Sequence, residues 1–259
     1  MCLLVLAWNA HPHYRLVVAA NRDEYHDRPA APLARWPAPA DILAGRDLRA
    51  GGTWLGMDSR RRFGVVTNFR ELVRPPAEAR SRGGLIPRYL GSPAGPGEYL
   101  TALESEAGGY GGFNLVLADG ESLWYASNRG APFAWQLPPG VHGLANERLD
   151  TPWPKLHRVR QGFETWLRTG SEALASLFPL LGDRRPAGDA GGMPGTGLSA
   201  EWERALSSPF VVHERYGTRC STVAAIEPTG RCYLAERRFD PSGACSGETE
   251  HRLEPGEWP

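Results

Sequence analysis

The sequence has almost no lysine and no excess of charge of either sign. Lys155 is the only lysine among 29 basic residues, and 29 acidic residues balance them. Because a neutral chain has no overall field that attracts phosphate groups, we expect neither nucleic acid nor an anionic membrane as a partner. The arginines are scattered along the chain, which is typical of a compositional bias and not of a binding patch.

Long apolar runs are missing as well. The apolar segment near the amino terminus, Leu3–Trp8, is followed at once by polar Asn9 and soon by His11. It is too short for a transmembrane helix, and it lacks the positive flank of a signal peptide. We therefore expect a cytoplasmic chain with no transmembrane segment.

Motifs that hold metals, phosphates or cofactors are also absent. The four cysteines form no CxxC pair, and neither a GxGxxG nor a GxxxxGK[ST] phosphate loop occurs. His11 and His13 resemble a metal pair, but without a nearby Cys, Asp or Glu they are more typical of a solvated turn. We expect no cofactor, no bound metal and free thiols.

Strand patterns open and close the chain, and helical patterns lie between them. Apolar runs at Leu3–Trp8 and Arg15–Ala20 predict a hairpin, and Cys232–Phe239 predicts one of the last strands. A central helix is predicted to start at Thr151-Pro-Trp-Pro154, with Thr151 as its N-cap. Since strands and helices do not alternate regularly, this order favours an α+β fold with largely antiparallel sheets.

The domain organisation follows from the small number of strands at the end of the chain. These strands are too few to form a core of their own, so we predict one domain over residues 1–259. Residues 183–197 are rich in glycine and proline, and we predict that they form a flexible insertion.

Cys2 is a candidate nucleophile, because the hairpin would place the polar cluster Asn21-Arg-Asp-Glu24 beside it. A second-position cysteine is more often inert, and such a cluster can be a solvated turn. Removal of Met1, however, would give Cys2 both a thiol and a free α-amine, whose pKa of about 8 suits a base. Asp23 would orient that amine, and Arg22 would favour the thiolate.

Further candidates lie after other apolar runs. Asn68 and Asn146 carry amides that can donate to a developing oxyanion. Trp54 fits a substrate cleft and a hydrophobic core equally well. A papain-like pair of Cys2 with a histidine is the other nucleophilic alternative, although no histidine is placed by a motif to serve it.

Several motifs, taken together and in order, resemble the NRDE family, the family of transport and Golgi organisation protein 2. They span residues 1 to about 222 and read Met1-Cys2-Leu3, Asn21-Arg-Asp-Glu24, Gly51-Gly-Thr-Trp-Leu-Gly56, Thr67-Asn-Phe-Arg-Glu71, Leu144-Ala-Asn146, Leu149-Asp-Thr-Pro-Trp-Pro-Lys155 and Tyr216-Gly-Thr-Arg219. This family is similar to N-terminal-nucleophile (Ntn) hydrolases of the choloylglycine hydrolase and penicillin V acylase type. The resemblance implies a four-layer αββα fold with two largely antiparallel sheets.

The resemblance also implies a set of site residues. Cys2, Asp23, Asn68, Asn146 and Arg219 match the catalytic positions of those hydrolases by motif. The hydrolases carry an early arginine one residue before their Asn-x-Asp, where this chain has Ala20. The role of Arg22, inside the tripeptide, is therefore inferred from its position only. Five further residues are expected on the substrate side: Asn21, Glu24, Thr53, Trp54 and Phe69.

Two functions are compatible with these residues. The first is hydrolysis of a non-peptide C–N amide bond in a small or lipid-like acyl amide, with Cys2 as the nucleophile. The second, implied by the family resemblance, is a non-catalytic protein that binds or transports haem, acyl-CoA or lipid. Fold does not decide between them, because function depends on the site.

Overall fold

The structure is a computed structural model that describes residues 2–38, 40–71, 78–187 and 198–259. The described strands are, in chain order, β1 (Cys2–Trp8), β2 (Leu16–Tyr25), β3 (Ala30–Arg35), β4 (Ile42–Asp47), β5 (Leu55–Asp58), β6 (Phe63–Asn68), β7 (Phe113–Ala118), β8 (Leu123–Ser127), β9 (Ala134–Gln136), β10 (Gly140–Leu144), β11 (Tyr216–Ile226), β12 (Cys232–Phe239) and β13 (Cys245–Leu253). The described helices are α1 (Leu85–Gly91), α2 (Pro96–Glu104), α3 (Pro154–Arg168), α4 (Phe178–Leu181) and α5 (Ala200–Leu206).

The chain divides into two compact units. The first unit comprises Met1–Asp27, Pro139–Ala145 and Leu149–Arg252. The second comprises Arg28–Pro138, Asn146–Arg148 and Leu253–Pro259. Each unit contains one sheet and helices packed on it.

The first unit is built on a six-stranded sheet with the strand order β10-β1-β2-β11-β12-β13. Strand β1 and the first half of β2 consist largely of Leu, Val and Ala, and both faces of these segments are buried. Helices α3 and α4 cover one face, where Leu3, Val17, Leu156 and Phe163 belong to one hydrophobic core. This face is called the helix-covered face below.

The second unit is built on a seven-stranded sheet in which β3 to β9 follow one another in chain order. All neighbouring pairs in it are antiparallel. Helices α1 and α2 supply Leu85, Ile86 and Leu100 to its core. Gly64 in β6 permits the close approach of α1, because a Cβ there would lie 2.8 Å from Ile86 Cδ1.

The predicted α+β class with two antiparallel sheets is confirmed, and so is the first hairpin. The end of its second strand differs from the predicted run Arg15–Ala20, because the strand does not stop before the Asn21-Arg-Asp-Glu24 cluster. Strand β2 continues through it to Tyr25, and the cluster is mostly buried. Hydrogen bonds to both neighbouring strands compensate the polar residues there, so the strand continues in spite of them.

The start of the central helix also differs from the prediction. Trp153, not Thr151, is the N-cap of α3, and Pro154 is its first residue. Proline is favoured at this position because its missing N–H would have no partner in a helix anyway. No described helix is both long and apolar enough to cross a membrane. Of the predicted insertion, residues 188–197 lie outside the described part, and the single-domain organisation stays a prediction.

Candidate active site

Cys2 lies at the start of β1, directly opposite Arg22 of β2. On its other side, Arg22 is opposite Cys220 of β11. Directly opposed residues of antiparallel strands point to the same face, so these three side chains form one row across the sheet. The row lies on the face opposite to that of Leu3, which is on the helix-covered face. The partly buried Cys2 thiol therefore has a buried guanidinium group as its cross-strand neighbour.

The surroundings of the Cys2 thiol act on its pKa in both directions. Burial raises the pKa of Cys2, the positive charge of the amino terminus lowers it, and the negative charge of Asp23 raises it. Arg22 and a hydrogen bond from the backbone of Asp23 lower it, and the net direction is upward. Because the thiolate is the nucleophile, a thiol whose pKa is raised needs a base that accepts its proton.

Asp23 points to the helix-covered face and is almost completely buried, with 2% exposure. Its carboxylate Oδ1 accepts a hydrogen bond of 2.7 Å from Thr218 Oγ1, and its backbone carbonyl accepts one of 2.8 Å from the Tyr216 hydroxyl. Burial raises the pKa of Asp23, the amino-terminal charge, Lys155, Thr218 and Arg22 each lower it, and the net direction is upward. Asp23 is thus a buried carboxyl group whose pKa the amino-terminal charge lowers.

Asn21 shares the helix-covered face with Asp23 and is 1% exposed. Its Nδ2 donates to the carbonyl oxygens of Leu181 at 2.9 Å and Pro209 at 3.0 Å. Its Oδ1 accepts a hydrogen bond of 2.6 Å from Ser221 Oγ. These three bonds join β2 to β11, to α4 and to the segment at Pro209, so the Asn21 side chain has a structural role. Its predicted contact with substrate stays a prediction.

Glu24 and Arg219 complete the charged cluster of the first unit. Glu24 is partly buried, and its Oε2 lies 3.9 Å from Arg22 Nη2. Arg219 sits at an irregularity of β11, where the pairing register with β2 shifts between Thr218 and Cys220. Its Nη1 donates to the carbonyl oxygens of Tyr25 and His26, at 3.0 and 3.1 Å. Burial lowers the pKa of Arg219, and the nearby charge of Arg22 lowers it further.

Asn68 and Asn146 meet in the second unit. Asn68 ends β6, and its carbonyl oxygen accepts a hydrogen bond of 2.9 Å from Asn146 Nδ2. Asn146 is fully buried and has a φ of 66°, a left-handed conformation that asparagine tolerates better than most residues. Its backbone carbonyl accepts a hydrogen bond of 2.6 Å from the Arg70 amide. The two asparagines predicted from separate motifs are therefore direct neighbours.

The other residues predicted on the substrate side also lie in the second unit. Thr53 is 1% exposed, and its hydroxyl donates to the Leu55 carbonyl at 2.9 Å. Trp54 and Phe69 are partly exposed. Their backbones are fixed, because the Trp54 carbonyl accepts from the Val66 amide and the Phe69 amide donates to the Gly112 carbonyl. The substrate contacts of Thr53, Trp54 and Phe69 stay predictions.

Two residues of the cluster were not identified from the sequence as site residues. Thr218 donates to Asp23, and the charge of Lys155 acts on Asp23. Both belong to motifs that carry the family resemblance, Tyr216-Gly-Thr-Arg219 and the Thr-Pro-Trp-Pro-Lys155 segment. A threonine one residue before the candidate arginine and the only lysine of the chain were the available signals.

Comparisons with known proteins identify the family. Residues 1–241 match the model of the family described as Transport and Golgi organisation 2. The Bos taurus Transport and Golgi organization protein 2 homolog is 33% identical, with 98% of this chain and 100% of that protein covered. The Homo sapiens homolog is 33% identical, with 92% of each chain covered, and the Drosophila melanogaster protein is 25% identical, with 94% of this chain and 95% of that protein covered.

Among solved structures, the chain is similar to a Caenorhabditis elegans N-acylethanolamine-hydrolyzing acid amidase ortholog. The TM-score is 0.49 at 12% sequence identity, and the match covers 88% of this chain and 93% of that one. The family predicted from the sequence motifs is confirmed by the family model and by the curated relatives. The chain belongs to the Transport and Golgi organisation 2 family.

Proposed function

We propose that this protein is an Ntn-type cysteine amidohydrolase that cleaves a non-peptide C–N bond in a small or lipid-like acyl amide. One observation carries the proposal. The residue that becomes the amino terminus after loss of Met1 is a cysteine, which lies directly opposite a buried arginine and accepts a hydrogen bond from the backbone of the adjacent Asp23. A thiol, a free α-amine and charged groups that can steer both are thus combined at one chain end.

The first half of the reaction forms a covalent intermediate. The α-amine of Cys2 takes the thiol proton, and the sulfur attacks the carbonyl carbon of the amide. The C–N bond then breaks, the leaving amine takes the proton back from the α-ammonium group, and a thioester to Cys2 remains. Arg22 stabilises the negative charge that develops on the sulfur before the attack.

The second half of the reaction releases the acid. Water loses a proton to the α-amine and attacks the thioester carbon, and the sulfur leaves and is reprotonated by the α-ammonium group. Asn146 and Asn68 are the proposed hydrogen-bond donors to the oxyanion in both halves of the reaction. The raised pKa of the thiol supports the need for the α-amine as a base. Asp23, Arg219 and Glu24 are proposed to hold the charged groups in position.

The test uses the amino terminus itself as the switch. A chain with a removable amino-terminal extension is treated with a thiol-directed acylating probe and with a library of N-acyl amides, before and after the extension is cleaved in front of Cys2. We expect labelling of Cys2 and amide turnover only after cleavage, because only then does Cys2 carry a free amine. Cys2→Ser should lose labelling, and Cys245→Ser, which replaces an exposed thiol, serves as the matched control. Full activity with Met1 retained would contradict the mechanism.

A second candidate function is a carrier for haem, acyl-CoA or another lipid-like acid. The observation that favours it is that the charge of Arg22 lowers the pKa of Arg219, so two guanidinium groups lie near each other, as binding of a carboxylate or phosphate requires. Titration of wild type and Cys2→Ala with haemin and with acyl-CoA separates the two functions. Stoichiometric binding without turnover of any amide favours the carrier, and an acyl adduct on Cys2 favours the enzyme.

A further inference from the structure

The only lysine of the chain is one of its most deeply buried side chains. All other members of the 29 basic residues are arginines, yet Lys155 is 1% exposed. An ammonium group is a compact point charge with three donors, whereas a guanidinium group is a broad plane with five. A chain that uses arginine everywhere else therefore keeps lysine at a site where a compact cation fits.

The position of Lys155 in its helix is unfavourable for a cation. It is the second residue of α3, after Pro154, and no acidic residue lies in that first turn. The amino-terminal end of a helix carries partial positive charge, which disfavours a cation there. Burial of the charge costs more, unless an opposite charge compensates it. A compensating group must therefore be sought outside α3.

Asp23 is the opposite charge that the fold supplies. The first turn of α3 packs on the helix-covered face, where Leu156 lies so close to Gly143 of β10 that a Cβ at Gly143 would be 2.7 Å from Leu156 Cδ1. Asp23 points to the same face, because it alternates with Arg22, whose side chain points to the other face with Cys2. The charge of Lys155 lowers the pKa of Asp23, which agrees with this placement.

We propose that Lys155 is a positioning residue whose buried ammonium group holds Asp23 as an oriented carboxylate, which in turn aligns the α-amine of Cys2. This inference rests on the proposed function, since the α-amine is the base of that reaction. Thr218 donates to Asp23 Oδ1 from β11, so Lys155 and Thr218 together hold one carboxylate from a helix and a strand. Lys155 itself touches neither the nucleophile nor the substrate in this scheme.

The first experiment does not depend on turnover. Because the chain has one lysine, protein made with ¹⁵Nζ-lysine gives a single ammonium resonance that needs no assignment. We expect its chemical shift to follow the titration of Asp23 in the wild type and to lose this titration in Asp23→Asn. Asp58→Asn removes another buried carboxylate, one bound to Arg60 and Arg62, and should leave the lysine signal unchanged. An identical titration in wild type and Asp23→Asn would overturn the pairing.

The second experiment measures the consequence for Cys2. The rate of Cys2 acylation by the probe is recorded against pH for wild type, Lys155→Met, Asp23→Asn and the double variant. We expect Lys155→Met to move the acidic limb of the profile upward by about 1–3 pH units, the usual effect of losing a neighbouring opposite charge. The double variant should be no slower than Asp23→Asn. A uniform loss at every pH, with additive effects in the double variant, would instead mean that Lys155 is merely structural.

The two experiments also separate failure of this inference from failure of the proposed function. Absence of Cys2 acylation in the cleaved wild type rejects the hydrolase, whereas the lysine resonance still reports whether Lys155 and Asp23 are paired. If Lys155→Met does not fold, Lys155→Arg keeps the charge. It should fold with a pH profile near that of the wild type and a rate that is lower on the alkaline plateau, because the broader group misplaces Asp23. A plateau rate equal to that of the wild type would overturn the need for lysine.

Discussion

The hydroxyl of Thr218 provides a direct test of how the Asp23 carboxylate is held. Thr218 is 1% exposed, and its Oγ1 donates to Asp23 Oδ1 at 2.7 Å while it accepts from the Val211 amide at 2.9 Å. Thr218→Val keeps the shape of the side chain and removes both hydrogen bonds. The change therefore probes the hydroxyl and not the packing.

The magnitude follows from the two lost bonds. A hydrogen bond to a charged group contributes about 1.5–3 kcal/mol, and a buried N–H left without a partner costs about 1–3 kcal/mol. We expect Thr218→Val to lower the free energy of unfolding by about 3 kcal/mol. For a chain of this size this corresponds to a decrease of roughly 6–12 °C in the unfolding midpoint.

The assay is thermal and urea unfolding at neutral pH, with a matched substitution in the same strand. Thr222 is also buried in β11, and within the described part of the chain its hydroxyl makes no side-chain hydrogen bond, so Thr222→Val should cost less than about 0.5 kcal/mol. Thr218→Ser retains the hydroxyl and should recover most of the loss. Equal stabilities for the two valine variants would refute the reasoning, because they would mean that the Asp23 carboxylate does not depend on Thr218.

Other perturbations test the second unit. Asn146→Gly keeps the left-handed backbone and removes the amide, so acylation of Cys2 should slow by about 10²–10³-fold if Asn146 is an oxyanion donor; Asn146→Ala should be less stable than Asn146→Gly by about 1 kcal/mol in denaturant unfolding. Glu71 binds Arg129 through two hydrogen bonds of 2.7 and 3.0 Å, which lower the pKa of Glu71 from 4.5. A lowered folded-state pKa contributes stability that is present above pH 4.5 and is lost as the pH falls through the folded-state pKa. Glu71→Gln should therefore lower the free energy of unfolding by about 1 kcal/mol at pH 7 and by little at pH 3, as measured by denaturant unfolding at both pH values. Gly64→Ala should cost about 1 kcal/mol by thermal unfolding, because the new methyl group overlaps Ile86 Cδ1; an unchanged midpoint would show that the Ile86 side chain rotates away.

The sequence allowed prediction of those parts of the site that lie on strongly apolar strands. Leu3–Trp8 and Arg15–Ala20 are separated by a turn sequence, so their antiparallel pairing could be predicted, and with it the proximity of Arg22 to Cys2. The pairing of Asn68 with Asn146 could not be predicted, because it joins segments that are 78 positions apart. Local patterns carry no information on which distant segments meet.

Two edge strands also gave no signal in the sequence. β3 contains Pro32 and lies in a proline-rich segment, and β13 alternates between exposed and partly buried residues with almost no apolar side chains. Each lies at one edge of its sheet. An edge strand pairs on one side only and is often covered on one face at most, so its residues need not show the hydrophobic pattern of a central strand.

The extension of β2 beyond Ala20 is the feature that makes the cluster around Cys2 possible. The β1–β2 register pairs Cys2 with Arg22, two residues past the point where the apolar pattern ends. Had β2 ended at Ala20, the first two residues of β1, roughly 7 Å of strand, would have no partner on that side, and the Asp23 amide would not reach the Cys2 sulfur. The alternation of the strand then divides the four polar residues: Arg22 and Glu24 share the face of the thiol, and Asn21 and Asp23 face the helical layer. These polar residues interrupt the apolar pattern by which a strand is predicted. They also place charged groups near Cys2 on both faces of the sheet, Arg22 and Glu24 on the face of the thiol and Asp23 on the helix-covered face.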